Sequence, residues 1–209
     1  MKLYHCRDAR SLRPLWTLEE LGLDYDLVNM PFPPRFKQQG YLEINPLGTV
    51  PTFVDNELVM TESTAICQYL VDKYGPSELA VNVDHAHYGD YLNWLQRSDA
   101  TLTFPQTLVL RYQRYEPEER RQPQIVDDYK KWFYSRLRAV EAALEHGDYL
   151  CADRFTIADI CVGYALHLAQ AIGLDEKFGP GTSAYLKRLS ERPGFKAAMA
   201  QQQELSPIF

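Results

Sequence analysis

A change of periodicity near residue 75 constrains this 209-residue chain more than any single motif does. Before it, short β-type runs alternate with helical segments; after it, long helical stretches follow with almost no strand signal. Lys2 to Cys6 reads as a first strand. Ser11 precedes a helical run from Leu12 to Leu21, with Pro14 in the first turn, where a missing N–H costs little, and Gly22 placed to end it. Tyr25 to Val28 supplies a second strand, and Met30 to Gly40, with Pro31, Pro33 and Pro34, reads as a loop or broken helix. Thr52-Phe53-Val54 and Leu58-Val59-Met60 flank Asp55-Asn56-Glu57 as a β-hairpin. A helix from Ser63 then carries Ile66, Tyr69 and Leu70 on one face and stops at Gly75-Pro76. The order is β-α-β-(α)-β-β-α.

Pro76 to Asp84 reads as a linker, and helices follow from His85 to about Leu102 and from Gln124 to His146. In the second, Val126, Tyr129, Phe133, Leu137, Val140 and Leu144 form one apolar stripe. Thr156 to Ile172 is apolar nearly all round, the mark of a helix enclosed by others. The expected organisation is a small α/β domain over residues 1–76, a linker over 77–86 and an all-α domain over 87–209. At 45% hydrophobic and 12% aromatic residues, the chain can bury a core, which excludes wholesale disorder. Its 22 basic and 28 acidic residues leave a net charge of −6, which argues against non-specific binding to nucleic acid or an anionic membrane. Neither a secretory leader nor a membrane span is legible, so the expectation is a soluble cytoplasmic protein. The four cysteines form no CxxC pair and the five histidines no zinc-like cluster, so no metal is expected and the thiols read as reduced and buried.

Three stretches carry chemistry. Asn45-Pro46-Leu47-Gly48-Thr49-Val50-Pro51 is a loop before the hairpin, with Val50-Pro51 a candidate cis peptide. Such bonds are about 5–6% of X-Pro bonds in folded proteins, so the alternative is an ordinary trans turn. A cis bond there turns the N–H and C=O of Val50 toward a peptide lying alongside as an extra strand. Glu62-Ser63 opens the next helix: Ser63 as N-cap offers an anion site, and Glu62 an acceptor for an ammonium group. A γ-glutamyl group carries both charges on one carbon; the alternative is a self-capped helix beside a solvated glutamate. In the turn from Cys6 to Leu12, the Ser11 hydroxyl, flanked by Arg10 and Arg13 at a helix start, suits a thiolate, or simply caps the helix. Thr156-Ile157-Ala158-Asp159 behind Phe155 is a capping-box pattern and reads as structural.

Taken in order, NPLGTVP (45–51), TES (61–63) and FTIAD (155–159), backed by LEELGL (18–23), resemble a cytosolic glutathione transferase over essentially the whole chain. The resemblance implies a thioredoxin-like N-terminal domain, an all-α C-terminal domain, a homodimer and a role in detoxification. Val50, before Pro51, would pair with the cysteinyl part of glutathione, while Glu62 and Ser63 hold the γ-glutamyl end and Lys37 the glycine carboxylate. A hydrophobic electrophile would lie between the domains against Tyr4, Phe104, Tyr112 and Tyr115. No cofactor is implied beyond glutathione as co-substrate. The chain looks closest to bacterial beta-class enzymes, whose cysteine is replaced here by Arg10, ahead of the matching Ser11-Leu12. Arginine forms no mixed disulfide, so Ser11 as hydroxyl donor and Arg10 as electrostatic substitute are the expected catalytic pair. Other readings on the same fold are a non-catalytic ligand-binding or protein-docking module, and a glutathione-dependent isomerase, peroxidase or dehalogenase.

Overall fold

The computed structural model describes residues 1–206. Four strands, β1 (Lys2–His5), β2 (Asp26–Asn29), β3 (Thr52–Asp55) and β4 (Leu58–Met60), form one mixed sheet in the order β2-β1-β3-β4. β1 runs parallel to β2, with Leu3 opposite Leu27, and antiparallel to β3, with Leu3 opposite Phe53. The β3–β4 hairpin pairs Phe53 with Met60 around Asn56, which takes a positive φ of 54°. Alternation along β1 sends Leu3 and His5 inward.

Helix α1 (Leu12–Leu21) has the bounds that its sequence signals give, and Gly22 ends it in the left-handed region at φ 63°. Two one-turn helices, α2 (Pro34–Lys37) and α3 (Tyr41–Ile44), occupy the proline-rich stretch and its exit. Helix α4 (Ser63–Lys73) follows the hairpin. β2 sits one residue later than its apolar run suggests, and β1 stops at His5, because Cys6 already belongs to the turn.

Two compact units emerge among the described residues, and the first is discontinuous: Met1–Ala80 together with residues 190–206. Its core holds Leu3, Leu12, Leu15, Trp16, Leu18, Phe53, Ile66 and Leu70, all without solvent exposure. Helix α10 (Pro193–Gln201) packs on α1. Phe195 meets the edge of Trp16 at 4.8 Å, and Arg192 holds Glu20 through two bonds of 2.8 and 2.7 Å. These contacts between the last helix and the sheet-bearing unit are ones that no local pattern encodes.

The second unit, Val81–Leu189, is helical. The helix expected to end near Leu102 continues to Tyr115: α5 (Tyr88–Gln96), a π-helical stretch Arg97–Thr103, α6 (Phe104–Leu110) and a second π-helical stretch Arg111–Tyr115. Within the first wide turn, Thr103 Oγ1 donates to the Ser98 carbonyl five residues back at 2.7 Å. Helix α7 (Pro123–Ala143) buries Val126, Phe133, Leu137 and Val140, four members of the predicted stripe. Helix α8 (Ile157–Ala171) is buried over most of its length. Helix α9 (Pro180–Ser190) is opened by Glu141, whose carboxylate accepts from Gly181 N–H, Thr182 N–H and the Thr182 hydroxyl at 2.7, 2.9 and 2.6 Å. Among the described residues, no helix is long and apolar enough to cross a membrane.

Candidate functional site

The loop 45–51 is organised by two buried polar side chains. Asn45, 2% exposed, donates through Nδ2 to the Thr49 carbonyl at 3.0 Å and Thr52 Oγ1 at 3.1 Å, while its Oδ1 accepts from Leu47 N–H. The Tyr41 hydroxyl donates to the same Thr49 carbonyl at 2.5 Å and contacts Thr52 Oγ1 at 2.7 Å. Gly48 sits at φ 61°, where an added Cβ would strike the side chains of Arg35 and Leu42. Val50-Pro51 is cis, as are Phe32-Pro33 and Gly75-Pro76, for which no motif gave a reason. Val50 and Tyr4 pack with the buried cluster Cys6, Ala9, Met30 and Tyr41, so loop and first turn share one core.

At the start of α4, Glu62 occupies the N-cap position without a capping bond from its side chain, and Ser63 is the first helical residue. This corrects the expectation of Ser63 as N-cap. Its hydroxyl is buried and serves another partner: Arg13 Nη1 donates to Ser63 Oγ at 2.9 Å. Arg13 lies on α1 and is completely shielded from solvent. A buried guanidinium thus stands beside the α4 N-terminus, where the helix dipole has its positive end. Because a guanidinium only donates, the Ser63 hydroxyl accepts from it and keeps its own proton to give. Glu62 stands exposed beside this tip. The sequence reading noticed Arg13 only as a neighbour of Ser11. Its link to Ser63 spans fifty residues, and the available signal was an arginine inside the run Leu12-Arg13-Pro14-Leu15-Trp16, which the helix buries.

The turn between β1 and α1 is closed by Ser11. Its hydroxyl donates to the Cys6 carbonyl and accepts from Cys6 N–H, both at 3.3 Å, and the residue has no solvent exposure. The proton expected to serve a thiolate is thus given to the main chain of the turn. Arg10 precedes it, half-buried. Cys6 is buried, and burial pushes its thiol up to about 12, far from the range of a reactive thiolate. Lys37 is exposed on α2 and lines an open hollow of about 450 Å³ with Arg35, Phe36, Gln38, Leu42 and Glu43. Of the apolar candidates, Tyr4 lies in the first unit, while Phe104 and Tyr115, 49% and 45% exposed, and the half-buried Tyr112 lie in the second.

Residues 1–72 match the family model of the glutathione S-transferase N-terminal domain, and residues 123–199 match that of the C-terminal domain. The chain belongs to the glutathione S-transferase family. Glutathione S-transferase GstA of Escherichia coli O157:H7 is 30% identical over 205 residues, covering 97% of this chain and 98% of that protein. Among solved structures, the ternary complex of BphK, a bacterial glutathione S-transferase, superposes with a TM-score of 0.86 at 27% identity over 97% of this chain and 99% of that one. The glutathione transferase URE2P6 of Phanerochaete chrysosporium, in complex with oxidized glutathione, gives 0.85 at 26% identity, over 98% and 97%. In this family member, the four strands, α1 and the α4 tip all lie within the N-terminal match.

Proposed function

We propose that this chain binds glutathione on its sheet-bearing unit and holds the thiol as thiolate for attack on a hydrophobic electrophile. The observation that carries the reading is the buried Arg13–Ser63 contact at an otherwise uncapped helix tip. The γ-glutamyl carboxylate takes the Ser63 hydroxyl proton and the free N–H groups of α4, and its ammonium takes Glu62. Val50, before Pro51, pairs through its main chain with the cysteinyl residue, and Lys37 meets the glycine carboxylate. URE2P6 in complex with oxidized glutathione supports a tripeptide on this fold.

A free thiol has a pKa of about 8.5, and lowering it by about two units needs about 2.7 kcal/mol. One or two charge-assisted hydrogen bonds, at about 1.5–3 kcal/mol each, are enough. With the Ser11 hydroxyl donating to Cys6, Arg10 at the start of α1 supplies that charge and Ser11 shapes the turn that presents it. Ser11-Leu12 is the beta-like feature of this reading; Arg10 ahead of it replaces the beta-class cysteine and excludes a mixed-disulfide mechanism through that position. Tyr4, Phe104, Tyr112 and Tyr115 offer aromatic surface to the electrophile. A homodimer in the cytoplasm, acting in detoxification, belongs to the same reading.

Calorimetry with glutathione and turnover of a chloronitroaromatic electrophile test it. Saturable binding with conjugation is the expected result. Binding without turnover of any electrophile makes the chain a carrier, and no heat at millimolar glutathione overturns the reading.

A further inference from the structure

After α10 the chain returns to the β1–α1 turn and grips it. Gln202 is 1% exposed and all its hydrogen-bonding capacity is used. Its Nε2 donates to Asp8 Oδ1 at 2.7 Å and lies 3.3 Å from Met199 Sδ, while its Oε1 accepts from Asp8 N–H at 3.0 Å and stands 3.0 Å from His5 Nε2. A carboxylate only accepts and a main-chain N–H only donates, so the carboxamide has one orientation. His5 is therefore the donor, as the neutral imidazole; burial lowers its pKa to about 4. Arg7 adds a bond of 2.7 Å from Nη1 to the Leu205 carbonyl, and Asn29 one of 3.0 Å to the Gln201 carbonyl.

The object of this grip is Asp8, held at φ 53°, a left-handed conformation that non-glycine residues rarely adopt. The next residues close the turn: Ala9 N–H on the Cys6 carbonyl at 3.2 Å and Leu12 N–H on the Ala9 carbonyl at 2.9 Å. Fixing both the main chain and the carboxylate of Asp8 therefore fixes where Ala9, Arg10 and Ser11 point.

We propose that Gln202 is a positioning residue for the thiolate site, bracing Asp8 so that the β1–α1 turn presents Arg10 to the sulfur of glutathione. This rests on the proposed function above. Gln202 touches neither the α4 tip nor the loop 45–51, so it acts on the state of the thiol and leaves the tripeptide's anchorage alone.

The test uses the full chain with Gln202→Ala, Gln202→Glu, and Gln202→Glu combined with Asp8→Asn. Gln202→Glu sets two carboxylates face to face, and Asp8→Asn restores a donor–acceptor pair with the roles exchanged. Hydrogen exchange reads the brace without any ligand: amides 6–12 are expected to exchange about tenfold faster in both single variants, with α8 unchanged. In activity, kcat/KM falls about tenfold and the pH–rate profile moves up by about half a pH unit, while the calorimetric Kd for glutathione stays within about twofold. The double variant recovers both readouts. Unchanged exchange over 6–12 in Gln202→Ala overturns the brace. Faster exchange with an unmoved pH–rate profile overturns the positioning role and leaves a purely structural clamp. Should the wild type fail to bind glutathione, the proposed function falls and the catalytic consequence with it, while the exchange arm still decides the brace.

Discussion

Two helix N-termini in this molecule are treated in opposite ways. At α8, the Thr156 hydroxyl accepts from Ala158 N–H, and Asp159 Oδ2 accepts from Thr156 N–H at 2.8 Å. Asp159 Oδ1 takes Leu150 N–H at 3.0 Å and the Tyr185 hydroxyl at 2.7 Å. That tip is closed by its own chain and wholly buried. At α4 the N-cap Glu62 makes no capping bond, an arginine is buried behind the tip, and Ser63 accepts from it instead of capping. A tip that satisfies itself holds the fold together; under the proposed function, the α4 tip beside Arg13 receives the γ-glutamyl carboxylate.

The contrast can be broken from either side. The largest effect is expected at the closed tip: Asp159→Ala strands several buried donors and should cost about 3–5 kcal/mol in denaturant unfolding. The protein that still folds should bind glutathione with unchanged Kd. Next comes pH. Burial raises the Asp159 pKa to about 6, against the opposing hydrogen bonds from Leu150, Tyr185 and Thr156. The folded state then binds this proton more tightly than the unfolded chain, whose carboxyl titrates near 3.9. Its contribution is fully present below about pH 4 and is lost as pH rises through 6, on the order of 3 kcal/mol. Denaturant midpoints measured from pH 4 to 7 in wild type and in Asp159→Asn should differ in slope over that window, and parallel curves would reject the assignment.

At the open tip, Ser63→Ala should weaken glutathione binding about 10- to 100-fold by calorimetry, through loss of a charge-assisted bond. Equal loss of affinity in Asp159→Ala would erase the distinction between the tips. Smallest, and confined to the thiol, is Arg10→Ala: the apparent pKa of the bound thiol should rise by about one pH unit, read as thiolate absorbance, with Kd within about twofold. An unmoved titration would leave Arg10 without an electrostatic role.

What the sequence disclosed follows the same division between local and distant. Helix α1 with Gly22, the hairpin around Asn56 and the Thr156–Asp159 box were legible because each is decided within a few residues. The loop 45–51 was legible as a motif, though the roles of Asn45 and Tyr41 in building it were not. Ser11 was visible as a hydroxyl at a helix start, but its bond to Cys6 depends on how the strand ends. Arg13 on Ser63 and Gln202 on Asp8 join positions far apart in the chain, and an arginine in a helix or a glutamine just past one reads as solvated until the partner surface is known. The wide turns at Arg97–Thr103 and Arg111–Tyr115 left no mark in the apolar periodicity.

The return of residues 190–206 to the first unit bears on biosynthesis. A ribosome delivers the sheet and α1 well over a hundred residues before the helix that covers them. Trp16 and Glu20 must wait, unsheltered, while the entire intervening bundle is translated. The nascent unit is therefore exposed to chaperones and proteases until its final segment leaves the exit tunnel, and a stalled or frameshifted message would strand it in that state.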